Sequence, residues 1–197
     1  MAGREPVPVS VTPGTRLSTK RTLVLHPFDE STQFLRKVYE GMEWNGYHVV
    51  TDFSSMVISD VRELMEGFDR IVMLGHGTED GLFDRSKGLY VVDLTCVPVL
   101  KEKECVFVWC NANIFKEKYD LEGFATGMFI SEIKEAFSEG REMTIPEIDE
   151  SNVMFAQILR EALLEEGESI RDRIYEGYCT RRGNRAVEAN REYMFYD

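Results

Sequence analysis

The chain has 197 residues, 43% hydrophobic and 29% charged, which is enough apolar material for one folded domain and too much for an intrinsically disordered chain. Thirty-five acidic against twenty-three basic side chains leave a net charge of -12 at pH 7. Such a field repels phosphate backbones and anionic lipid heads, so nucleic acid is excluded as the main partner. No apolar run approaches the ~18 residues that cross a bilayer, and no secretory h-region opens the chain. A soluble, cytoplasmic protein without membrane association is expected, and the four cysteines (Cys96, Cys105, Cys110, Cys179), which form no CxxC pair, read as free thiols.

Residues 1–21 hold Pro6, Pro8 and Pro13 and set Arg4, Arg16, Lys20 and Arg21 against Glu5, which reads as a flexible basic arm. Residues 22–197, a single α/β domain in this reading, then carry a net charge of -15, an acidic surface on which the arm could lie. From Thr22 short apolar runs alternate with amphipathic stretches, the mark of βαβ units around a mainly parallel sheet. Thr22 to Leu25 is a first strand. Asp29 or Ser31 caps a helix whose apolar positions are Phe34, Leu35, Val38, Tyr39 and Met42. Tyr47 to Thr51 is a second strand, Ser59 or Asp60 opens a short helix, and Arg70 to Leu74 is a third strand, apolar on both faces. Gly81 to Asp93 predicts a hairpin turning at Ser86-Lys87-Gly88, residues 94–101 a short helical connection, and Cys105 to Trp109 a fourth strand. Thr126 to Ser131 reads as a fifth strand. A long helix begins at Asp149 or Ser151 and stops at Gly167, and the tail from Tyr175 to Tyr196 is expected to add one or two strands, with residues 193–196 the best candidate.

In open α/β sheets reactive groups gather outside the carboxyl ends of the strands. His26 follows the first strand, Asp52 the second, His76 the third and Cys110 the fourth. A histidine can take the proton of a thiol near neutral pH, and the thiolate attacks acyl carbon, so His76 and Cys110 form a candidate dyad. Glycines flank the histidine in Leu74-Gly75-His76-Gly77, leaving backbone amides open to a developing oxyanion; Gly77 N–H and the Cys110 amide are the candidate donors. Cys96, Cys105 and Cys179 read as structural.

A strand ending in His-Gly, followed some thirty residues later by a strand ending in Cys, resembles the caspase-like cysteine peptidases, which include caspases, metacaspases, gingipains, clostripain and separase. The resemblance implies a three-layer sandwich with a mainly parallel central sheet and helices on both faces. It also implies peptide-bond hydrolysis with His76 as catalytic histidine, Cys110 as nucleophile, Gly77 as an oxyanion donor and no cofactor. The block Val108-Trp109-Cys110-Asn111-Ala112 departs from the Gln-Ala-Cys-x-Gly of caspases, so a true caspase is excluded. The superfamily selects a charged side chain before the scissile bond; the acidic domain favours a basic one, for which Glu79, Asp80 and Asp84 near the histidine loop are candidate contacts. The alternative function is a catalytically inactive module of the same fold that binds a protein partner through its acidic surface. Two further constellations are weaker. Gly75-x-Gly77-x-x-Asp80 lacks the third glycine of a dinucleotide fingerprint, and a zinc site of His26, His76 and Cys110 requires strand order 2-1-3-4.

Overall fold

The computed structural model describes residues 17–42, 46–165 and 169–195. Most of the basic arm (1–16) and the helix stop at Gly167 therefore lie outside the described residues. The four parallel strands expected from their apolar runs form at β1 (Thr22–Leu25), β2 (Tyr47–Val50), β3 (Arg70–Leu74) and β7 (Glu104–Val108). With β8 (Phe124–Thr126) and β9 (Met194–Phe195) they make a six-stranded sheet in the order β2-β1-β3-β7-β8-β9, parallel except for β9.

Alternate residues of each strand enter two cores. Val24, Val72, Leu74, Val106 and Val108 pack against α5 (Ile145–Leu164), α6 (Ile170–Ile174) and the helix Glu30–Val38. Leu23, Leu25, Ile71, Met73 and Phe107 pack on the opposite face, together with residues of α1 (Ile58–Glu66), α2 (Val97–Leu100) and α3 (Ala112–Lys118). Helices thus cover both faces of an α/β domain, because strands apolar on both faces need two covering layers.

Several local readings change. The helix 30–38 is a 3-10 helix capped by the Asp29 carboxylate, which accepts from Ser31 N at 3.0 Å. Between β3 and β7 a second sheet of three antiparallel strands forms, not a simple hairpin: β4 (His76–Thr78), β5 (Gly81–Asp84) and β6 (Leu89–Val92). The fifth strand lies earlier than expected, at 124–126, and Gly127 to Ser131 is a loop leading to α4 (Ile133–Ser138). Side chains complete that loop's backbone: Asn190 bonds both Ile130 N and Ile130 O (2.7 and 3.0 Å), and Asn152 donates to Ser131 O at 2.9 Å. The tail is mostly helical, with α6, a π-turn at Tyr175–Cys179 and α7 (Arg185–Asn190) preceding β9, the one strand among the tail's described residues. The helix expected from Asp149 opens earlier, where Glu147 reaches back to Thr144 N at 2.7 Å and Pro146 fits the first turn.

Charge closes the edge at which the parallel strands begin. Arg70, 3% exposed, donates to Glu104 (2.9 Å) and to the Leu163 carbonyl near the end of α5 (2.7 Å), which also accepts from Tyr47 Oη. Lys20 pairs with Glu104 and Arg21 with Asp69. Two cations at the end of the expected arm are therefore seated on domain carboxylates.

Candidate active site

The last paired residues of β3 and β7 are Leu74 and Val108. His76 and Cys110 each follow by two residues, beyond the carboxyl ends of adjacent strands. Gly75, at φ 140°, then diverts the chain into β4, and its N–H remains bonded to Val108 O at 3.0 Å. Across β7, the residue after Cys110 is left-handed: Asn111 has φ 66° and ψ 24° and turns the strand into α3. Asparagine tolerates this region better than other side chains do, so it supplies the turn that a glycine would otherwise make. Asn111→Gly is expected to leave unfolding within ~0.5 kcal/mol of the parent and Asn111→Ala to cost about 1 kcal/mol, read by urea denaturation.

β1 supplies a residue that the strand-end argument had assigned only to capping. Asp29 Oδ1 lies 3.1 Å from His76 Nε2, and Ser31 Oγ lies 2.8 Å from the same nitrogen while donating to Asp29 at 2.5 Å. An ionised carboxylate only accepts, so the two shorter contacts place the imidazole proton on Nε2 and leave Nδ1 with a lone pair; Arg85 Nη1, a donor, stands farther from Nε2 at 3.4 Å. Among the described residues Nδ1 has no protein partner. The Ser31 hydroxyl bond, then those from His76 and Ser31 N, hold the Asp29 carboxyl down at about 2 against the opposing effect of its partial burial. Arg85 Nη1 stands 3.8 Å from Asp29. Asp29 stands in the connection that follows β1, which this strand order sets beside β3.

Cys110 is half-buried and forms no hydrogen bond to His76 among the described residues. Burial, then the Glu135 carboxylate, pushes its thiol up to about 11, while the backbone amides of Phe129 and of Cys110 itself pull the other way. Glu135 is anchored by Ser131 N and Glu132 N at 2.7 and 3.0 Å. The other cysteines whose shifts are defined, Cys96 and Cys105, are buried and likewise raised by burial, Cys105 to about 12. Cys179 is buried in the α5-side core.

Gly77 lies in the middle of β4, above Trp109. A Cβ there would stand 2.1 Å from Trp109 Cδ1 and 2.5 Å from Gly81 O. Trp109 is 2% exposed and donates from Nε1 to Thr78 O at 2.9 Å, so the glycine has a packing reason besides any role for its amide.

The remaining expected residues are dispersed. Asp84 is buried and its Oδ1 accepts from Ser86 N and Oγ within its own turn. Asp80 pairs with Lys118 at 2.9 Å, and Glu79 is exposed at the β4–β5 turn. Asp52 is exposed after β2 and bonds Ser54 N. The observed order β2-β1-β3-β7 meets the requirement for a zinc site, yet His26 is fully buried, with Nδ1 2.8 Å from Tyr39 Oη and Nε2 3.1 Å from Thr32 Oγ1. No metal-binding cluster of His, Cys, Asp or Glu occurs among the described residues. Nor is any described helix long and apolar enough to cross a membrane.

Burial, then the neighbouring His76 and Arg36, lowers His26 to about 4. Unfolding restores its usual value near 6.5, so its contribution is full above pH 6.5 and is lost as pH falls toward 4. The loss expected over that window is about 3 kcal/mol. Urea denaturation at pH 7.5, 5.5 and 4 measures it, with His26→Gln flattening the dependence.

Set against protein-family models, curated proteins and solved structures, the chain matches none of them.

Proposed function

We propose that this domain is a cysteine-type peptidase of caspase-like fold, with Cys110 as nucleophile and His76 as general base. One observation carries this reading: His76 and Cys110 are each the second residue past the last pair of the adjacent strands β3 and β7, and His76 Nε2 lies 3.1 Å from Asp29. The bare Nδ1 accepts the Sγ proton as sulfur attacks the scissile carbonyl carbon. Because the resting thiol is protonated near neutral pH, this transfer accompanies attack. The amides of Gly77 and Cys110 are the proposed oxyanion donors. The C–N bond then breaks as the imidazolium returns its proton to the departing amine. Water, activated by the same Nδ1, hydrolyses the thioester and releases the acid. Four free thiols suit a reducing, cytoplasmic compartment. The substrate is a peptide, with a basic residue before the scissile bond favoured by the chain's net charge and by Glu135 beside Cys110.

A raised thiol with no hydrogen bond to His76 favours a second reading, a silent module of this fold that binds a protein. Fluorogenic peptides bearing Arg, Lys, Asp or Asn before the scissile bond separate the two. The peptidase cleaves at least one of them, and Cys110→Ala abolishes the cleavage. The silent module cleaves none, and its Cys110 reacts with iodoacetamide at a rate that climbs about tenfold per pH unit toward pH 11.

A further inference from the structure

A groove of about 700 Å³ runs between α5 and the π-turn Tyr175–Cys179, on the sheet face that carries the 3-10 helix. Its apolar lining is Val153, Met154 and Ile158, and Gly177 lets the two elements close up, since a Cβ there would meet Ile158 at 3.0 Å. Four carboxylates (Asp149, Glu150, Glu161, Glu176) and two guanidiniums (Arg173, Arg181) surround that lining, leaving the groove net negative. Arg173 is already committed to Glu165 at 2.7 Å.

The described chain begins at one end of this groove. Leu17 makes an antiparallel bridge with Glu165, and Ser18 N donates to Leu164 O at 2.7 Å. Glu165 in turn pairs with Arg173 of the groove lining, which sets Leu17 at the Arg173 end. The residues before Leu17 read Arg4-Glu5-Pro6-Val7-Pro8-Val9-Ser10-Val11 and end at Arg16, so valines alternate with proline or serine and a cation stands at each end. Five extended residues, Val7 to Val11, span about 16 Å at the ~3.1 Å rise of a proline-rich strand. Asp149 to Glu161 spans about 18 Å along α5.

We infer that residues 4–16 of the same chain occupy this groove, with Val7, Val9 and Val11 on Val153, Met154 and Ile158 and the two arginines toward the carboxylate rim. The arm is thereby an intramolecular ligand of the α5 surface. The inference stands apart from the peptidase reading, because neither the groove nor its occupant includes His76 or Cys110. It also accounts for an apolar groove within an acidic surface, where the contact is held by alternating side chains and by charge.

The test uses the full chain. Val9→Cys combined with Gln157→Cys, a groove residue, is oxidised beside a control pairing Val9→Cys with Glu63→Cys on α1, across the sheet. The groove pair is expected to form an intramolecular disulfide at least tenfold faster than the control. Adding Glu161→Lys and Glu176→Lys should remove most of that difference. Equal rates for the two pairs overturn the inference, as does a groove pair that crosslinks only between molecules. Hydrogen exchange gives a readout without engineered cysteines: Val7→Asp with Val9→Asp and Val11→Asp should raise exchange across residues 153–161. Unchanged exchange in a variant with a native circular-dichroism spectrum also overturns the inference.

Discussion

Asp29→Asn is expected to lower kcat/KM for the best peptide by about 10³- to 10⁴-fold, with the loss in kcat and KM nearly unchanged. The physical argument is the proton on His76. Asp29 and Ser31 converge on Nε2, so the carboxylate keeps the proton there and Nδ1 bare. An asparagine amide can turn its NH₂ toward the ring, which stabilises the tautomer that cannot accept a proton at Nδ1. His76→Ala and Cys110→Ala remove the base and the nucleophile and should leave no cleavage above background. Ser31→Ala removes one hydroxyl from a carboxylate that keeps other donors, so about a tenfold loss is expected. Asp29 acts through His76 and is a positioning residue; its signature is a changed pH profile of kcat. Parent-like kinetics in Asp29→Asn would remove it from the mechanism.

Gly77→Ala should cost about 3 kcal/mol of stability, which for a domain of this size lowers the thermal midpoint by roughly 6–12 °C. The new methyl group meets the Trp109 indole on one side and the Gly81 carbonyl on the other. Neither can yield cheaply. The indole is buried, packs edge-on against Phe107 and Phe115, and holds Thr78 O through its N–H. Relief requires β4 to lift, which also shifts His76 from Asp29. Calorimetry on Gly77→Ala, Trp109→Phe and the double variant checks the cause: the double variant should be more stable than the sum of the two single losses implies. Strict additivity would show that the clash is not with the indole.

The parts of the fold that were legible are those in which local pattern and tertiary burial agree. Continuous apolar runs such as Arg70 to Leu74 and Cys105 to Val108 need two covering faces, and they have them. Thr126 to Ser131 holds the apolar run Met128-Phe129-Ile130, yet most of it is a loop. Its backbone is bonded by Asn152 and Asn190, side chains more than twenty residues away, and composition carries no trace of them. β4 is three residues long and exists through its pairing with β5. In the tail, Gly177 and Gly183 interrupt the helical periodicity, so α6 and α7 did not stand out from strand.

The candidate site was legible through a geometric rule: residues after parallel strands converge. That rule located His76 and Cys110 and also applied to Asp29, whose obvious local task, capping the 3-10 helix, concealed its bond to a residue 47 positions away. It said nothing of Asn111, whose left-handed backbone turns the end of β7 into α3. Among the acidic residues near the histidine loop, charge alone could not show that Asp84 is spent on its own turn.

The Arg70 clasp has a consequence for how this scaffold can be altered. Strand starts, the Glu104 carboxylate and the end of α5 are tied together at one end of the sheet, by bonds that the loops at the other end do not share. Anchorage and the candidate site occupy opposite poles. An exposed loop at the pole of the candidate site, such as the β5–β6 turn, can therefore be exchanged or lengthened while the other pole keeps the strands in register. The domain is in that sense a chassis with one replaceable end, suited to directed evolution of specificity by loop grafting.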